Sequence, residues 1–145
     1  MNKTKLLNLA ALLRKNAADE KGMKFDLNFV NILEDYDNYN KMGRNCGTAG
    51  CAIGLAAVSE EFPEIKPYGK TLVKYNGEVA EWNHAAADMF DLNQVEIIYL
   101  FLPSHYPPSK QKGATGERYV ADRIEQFVAS GGIMTPNPWY EYIDA

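Results

Sequence analysis

Residues 43–58 change character halfway along, and that change constrains the fold more than any other feature of the chain. The first part, Gly43-Arg44-Asn45-Cys46-Gly47-Thr48, is small, polar and glycine-bearing. The second, Ala49-Gly50-Cys51-Ala52-Ile53-Gly54-Leu55-Ala56-Ala57-Val58, carries no charge. A loop running into a buried helix has this form. Thr48 is placed to cap that helix, and Ala49 or Gly50 to open its first turn. The expected span is residues 49–60, after which Pro63 and Pro67 forbid continuation. A helix start presents unpaired N–H groups and the positive end of the helix dipole. It therefore attracts an anion or holds a cysteine as thiolate.

The surroundings of this stretch fit a single globular domain over residues 1–145, ending in an aromatic tail at 133–145. Hydrophobic residues make up 46% and charged residues 23%, enough apolar material for a substantial core. No apolar run approaches the roughly 20 residues needed to cross a bilayer. Asn8 interrupts the apolar segment after the basic N-terminus, and no small-residue cleavage pattern follows it. The expectation is a cytoplasmic protein without a membrane partner, whose two cysteines remain thiols. A net charge of −4 argues against a nucleic acid polymer as partner. A small anion is compatible with that charge, because a local basic cluster outweighs a mild global field.

Along the chain, Leu6, Leu9, Ala10, Leu13 and Ala17 recur at helical spacing, giving an amphipathic helix over residues 3–18. Phe25, Leu27 and Phe29 alternate as in a strand, and Val30, Leu33 and Tyr36 suit one face of a short helix before a polar loop at 36–45. Tyr75-Asn76-Gly77-Glu78 is a two-residue hairpin signal, since Asn-Gly supplies both positive-φ positions of a type I′ turn. That register pairs Val73 with Ala80 and Thr71 with Trp82, and a lone hairpin needs further support, for which residues 25–29 are the candidate third strand. Asn83 is placed to cap a helix over 84–90, and Asn93 with Glu96 makes a capping box for another over 94–102. Residues 103–116 read as a long Pro/Ser/Gly loop, of a length that is often functional. A last helix over 117–130 buries Val120, Ile124, Phe127 and Val128, and Gly131-Gly132 stops it. The fold class is therefore α+β and mainly helical: about five helices around a central one, with a small antiparallel hairpin or three-stranded sheet.

Two kinds of chemistry fit these elements. Cys46 lies just ahead of the central helix beside Lys41 and Arg44, where charge and dipole favour thiolate; read plainly, it is a loop residue packed under the helix start. His84, near a helix start, and His105, in the long loop, are the two available bases; each is also the kind of residue that simply bonds its neighbours. Cys46, Cys51, His84 and His105 lack the compact spacing of a structural zinc site, and Asp35 and Asp37 lack the ligand ladder of a calcium loop, so no metal is expected. The second kind is binding. Lys41, Arg44, Asn45, Gly47 and Thr48 form one anion cradle, and Lys110, Lys112 and Arg118 form another. Should the long loop fold over the helix start, both would converge on one pocket rimmed by Tyr39, Trp82 or Tyr106. The ordinary role of each lysine is a solvated surface charge.

The segment Asn45-Cys46-Gly47-Thr48-x-x-Cys51-x-x-Gly54-x-Ala56 resembles a motif of small, uncharacterised bacterial and phage proteins that share a C-G-T-x-x-C-x-x-G-x-A helix start. The resemblance extends to Phe25-Asp26 before the motif and to Asp91-Leu92 and Arg123-Ile124 after it. It implies an architecture and a phage or bacterial conflict setting more than an activity. A weaker resemblance is to papain-like cysteine peptidases, where Asn-Cys-Gly opens the central helix; here no Gln precedes Cys46 to form an oxyanion hole, and neither histidine begins a strand. The leading expectation is a non-catalytic binder of a small anionic, nucleotide-like ligand: a phage counter-defence protein that sequesters it, without a cofactor, as a homo-oligomer. The alternatives are a Cys46-dependent hydrolase or transferase using His84 or His105, and an interaction module built on the C-terminal aromatics around Trp139.

Overall fold

The N-terminal helix forms as its periodicity dictates. In the computed structural model, which describes residues 1–19, 24–25, 27, 49–68 and 72–134, α1 spans Lys3–Ala18. Asn2 caps it by accepting from the Lys5 N–H, and Leu6, Leu9, Ala10, Leu12 and Leu13 are buried. Its main partner is the last helix, α5, Gly113–Ala129, whose Val120, Ile124, Phe127 and Val128 are buried as expected. Arg14 ties the two helices at their rim through Asp122 and Glu125. Three further helices complete the described helical set: α2 Ala52–Val58, α3 Trp82–Phe90 and α4 Gln94–Phe101. The class is α+β and mainly helical.

Two small sheets accompany the helices. β1 (Lys24–Phe25) and β2 (Ala49–Gly50) pair in parallel, Lys24 with Ala49 and Phe25 with Gly50. β3 (Ile65–Pro67), β4 (Leu72–Tyr75) and β5 (Glu78–Glu81) form an antiparallel sheet in that order. The β4–β5 turn has φ of 52° at Asn76 and 85° at Gly77, as a type I′ turn requires, and Val73 faces Ala80. The third strand is residues 65–67, where 25–29 was expected. Phe25 is instead engaged in the parallel pair, and among the described residues it does not meet the hairpin. Pro67 is tolerated in β3 for a geometric reason. Asn76 N–H donates to Glu64 O at 2.8 Å, so the pair two residues on, Lys66 and Lys74, is hydrogen-bonded, while Pro67 opposite Val73 falls in a non-hydrogen-bonded pair and owes the ladder no donor.

The remaining boundaries also shift. α2 begins at Ala52 with Cys51 at the N-cap position, where a start at 49 capped by Thr48 was expected; Ala49 and Gly50 are taken by the β1 ladder, which holds them extended. Thr48 itself lies outside the described residues, as do the short helix of 30–36 and Thr71. Trp82 opens α3 and is no longer a strand residue; Glu81, and not Asn83, is at the cap. Asn93 and Glu96 form both bonds of the capping box, at 2.9 and 3.0 Å. Residues 103–116 are not a structureless loop: 3₁₀ turns occupy Pro103–His105 and Pro108–Lys110, and α5 starts at Gly113, four residues before the expected Glu117. Gly131 and Gly132, with φ of 74° and 98°, end α5 as their sequence position suggests.

The core runs through α1, α2, α5 and the inner faces of α3 and α4. All seven residues of α2 are buried, and Phe62, Phe90 and Phe101 pack together behind it with ring centroids 6.1 and 6.0 Å apart. No helix among the described residues is long and apolar enough to cross a membrane.

Candidate functional site

The segment between α4 and α5 carries most of the described candidate residues, and its shape follows from one arginine. Arg123, on α5, donates from Nη1 to the carbonyl of Tyr99 at 3.0 Å and to that of His105 at 2.7 Å. Its guanidinium carbon lies 3.9 Å from the centre of the Tyr106 ring and 4.8 Å from that of Tyr99. Tyr106 is fully buried and its hydroxyl donates to Leu100 O at 2.6 Å. Burial pushes that hydroxyl far above the ordinary tyrosine range. From the other side, Gln111 Nε2 donates to the carbonyls of Pro103 and Tyr106 at 3.0 and 3.1 Å. The backbone of residues 103–111 is therefore pinned from below and from its own end, which is the opposite of a swinging lid.

This geometry decides where the expected residues stand. Tyr106 is turned into the core and forms no rim. His105 is half-buried in the first 3₁₀ turn; burial, then the nearby Arg123 charge, lowers its pKa and favours the neutral imidazole. His84 is exposed in the first turn of α3, on a different element, and Trp82 is partly buried against the core beside it. Lys41, Arg44, Asn45, Cys46, Gly47 and Thr48 lie outside the described residues, as does Tyr39, so the thiol and the first cradle have no described geometry. Among the described residues no group of three or more His, Cys, Asp or Glu side chains could hold a metal ion.

The second cradle is described in full. Lys112 occupies the N-cap position of α5, no side chain caps the helix, and its first turn contains no acidic residue. Lys112, Gly113, Ala114, Thr115 and Arg118 are exposed. Gly113 has φ of 74°, a conformation that brings the chain into the helix without a side-chain penalty. The N–H groups of residues 113–115 have no intrahelical acceptor by virtue of their position. Lys110 closes the approach, half-buried, with Nζ 5.9 Å from the Tyr119 ring centre. Gly116 sits against the preceding turn so closely that a Cβ would lie 2.8 Å from Lys110 O, which fixes the turn to the helix start.

A third contact joins this helix start to β1. Leu27 N–H donates to Gln111 O at 2.9 Å, while two residues earlier Phe25 pairs with Gly50. The backbones that lead into α5 and into α2 thus meet the chain two positions apart, at Leu27 and at Phe25. Convergence of the two basic segments is expected from a loop folding over, but the first of them lies outside the described residues; what is described is this link between the approach to α5 and that to α2.

Sequence reasoning missed Arg123, Gln111 and Glu117. The last had a readable signal, because Val120 and Ile124 extend back by helical spacing to 117, placing a carboxylate on the apolar face. Glu117 is 1% exposed, accepts from Asn16 Nδ2 at 2.7 Å, and burial raises its pKa to about 7. Arg123 had no such signal, since its partners lie 24 and 18 residues away. No family model, curated protein or solved structure matches this chain.

Proposed function

We propose that this protein binds a small phosphate-bearing, nucleotide-like anion without transforming it, at the α5 start and the basic segment ahead of Cys51. The observation that carries the reading is a backbone link: Phe25 pairs with Gly50, and two positions on, Leu27 N–H donates to Gln111 O. Around it stand an uncapped, exposed helix start and the cations Lys110, Lys112 and Arg118. Backbone N–H groups would take the phosphate oxygens and the cations its remaining charge. A setting in phage counter-defence, with the protein sequestering a signalling nucleotide as a homo-oligomer, rests on the resemblance of the Cys46–Ala56 motif alone and is proposed on that basis.

The test is mass spectrometry of small molecules released when the purified protein is denatured, alongside thermal unfolding with added inorganic phosphate and mononucleotides. A phosphate compound released intact, and depleted from Lys112→Ala/Arg118→Ala, is the expected result. Ligand at about 100 times its Kd should add about 2.7 kcal/mol to the stability of the wild type. An identical set of compounds from both proteins, with no thermal shift in either, would refute it. Conversion of the compound on incubation, abolished by Cys46→Ser in a folded protein, would replace it with the hydrolase or transferase reading.

A further inference from the structure

The outer face of the antiparallel sheet carries an arrangement that folding alone does not favour. Strand alternation puts Ile65, Pro67, Val73 and Ala80 on the inner side, with Ile65 and Val73 fully buried. Lys66, Lys74 and Val79 therefore line up across the outer side, since Lys66 pairs with Lys74 and Lys74 with Val79. Both lysines are exposed, Val79 is 48% exposed, and Tyr68, just past β3, is 46% exposed with Lys74 Nζ 5.9 Å from its ring centre. Lys66 and Lys74 form a hydrogen-bonded pair, with Cα atoms about 5.5 Å apart. Like charges directly opposite one another destabilise a sheet. Among the described residues neither lysine makes an ion pair.

Edge protection explains only half of this. A lysine beside a proline on β3 discourages another strand from adding to that edge. Lys74 is on the central strand, where no edge needs guarding, and a glutamate there would pair with Lys66. The face joins two adjacent cations to exposed Val79 and Tyr68 and half-buried Leu72, with exposed Glu81 opposite Leu72 at its far end, two positions along β5 from the residue facing Lys74. A nucleic acid strand would want successive aromatic platforms, whereas this face offers one tyrosine that already carries a lysine over its ring, in a protein of net charge −4. Short acidic stretches interleaved with apolar side chains match both the charge and the apolar rim.

We infer that the outer face of the β3–β4–β5 sheet is a docking surface for an acidic polypeptide segment with interspersed apolar residues, held by the opposed Lys66 and Lys74. This surface is separate from the proposed ligand site and does not depend on it. The test is fluorescence anisotropy with a fluorescein-labelled peptide mixing Asp and Glu with Leu and Phe, run against the full chain at low and high salt. Controls are the same peptide with lysine in place of its acids, an oligouridylate of equal charge, and sedimentation of the protein alone. Lys74→Glu is the informative variant, because it creates an opposed Lys–Glu pair and should raise the thermal midpoint. Saturable binding to the acidic peptide, weakened by salt and reduced about tenfold or more by Lys74→Glu, is the expected result. Absence of binding by the wild type, equal binding by the variant, or tighter binding of the oligouridylate would overturn it. So would self-association abolished by Lys74→Glu, which would give the face to a second copy of the chain.

Discussion

Glu117 makes the stability of this protein depend on pH in a direction that can be worked out. Its carboxyl is buried between α1 and α5, and the hydrogen bond from Asn16 only partly offsets the loss of hydration. The folded pKa of about 7 stands above the reference value of 4.5. A raised carboxyl pKa means that the unfolded chain releases the proton first. The native state is thus unpenalised below about pH 4.5, loses stability as pH rises toward 7, and stays penalised by a constant amount above it. At about 1.4 kcal/mol per pH unit the gap corresponds to about 3 kcal/mol, and water reaching the carboxylate trims this to about 1–3 kcal/mol. Glu117→Gln keeps an oxygen for the Asn16 amide and removes the charge. Urea unfolding at pH 5 and pH 8 is the assay. The variant should exceed the wild type by about 1–3 kcal/mol at pH 8 and by much less at pH 5. An equal difference at both pH values, or a less stable variant at pH 8, would refute the argument.

Two further expectations concern the pinned segment. Arg123→Ala removes the guanidinium that donates to the Tyr99 and His105 carbonyls and lies over Tyr106, so urea unfolding should show a loss of about 2–4 kcal/mol; Arg123→Lys, which keeps a charge but not the planar fork, should lose less. Gly116→Ala places a methyl 2.8 Å from the Lys110 carbonyl, where only backbone movement relieves it. Its cost should be about 1–3 kcal/mol by the same assay, with weaker binding of the released ligand, because the Lys110 turn and the α5 start are pushed apart.

The elements that sequence revealed are those whose determinants lie within a few residues. Asn76-Gly77 dictates its turn, Asn93 and Glu96 cap the helix between them, and the leucines of α1 repeat at the spacing of one face. What escaped depends on partners far along the chain. Gly50 reads as helix until Phe25 claims it, 25 positions away, and a two-residue ladder leaves no periodicity to detect. Gly113 and Gly116 read as loop because glycine disfavours helices; one supplies a positive φ at the helix start and the other a close backbone approach. Residues 65–67 escaped because Pro67 argues against a strand, an objection that disappears once the register with Val73 is known. Among site residues, Lys112 and Arg118 are legible as exposed cations. Tyr106 is not legible as a core residue, since Arg123, the Tyr119 ring and the Leu100 carbonyl, which give its ring and hydroxyl a buried place, come from elsewhere in the fold.

The displaced start of α2 alters the physical case for anion binding. A seven-residue helix buried over its whole length, with Cys51 only 2% exposed at its cap, turns its amide donors toward protein. Its dipole acts inside the core. α5 differs in each respect that matters: seventeen residues long, exposed over its first turn, without a side-chain cap and flanked by cations. The longer helix has the more accessible donors, so the anion would be held chiefly by residues 113–115 with Lys112 and Arg118, and Lys41 and Arg44 would contribute less. That division of labour separates the two cradles experimentally. Lys112→Ala/Arg118→Ala should weaken ligand binding more than Lys41→Ala/Arg44→Ala does, and the reverse order would return the site to the α2 start.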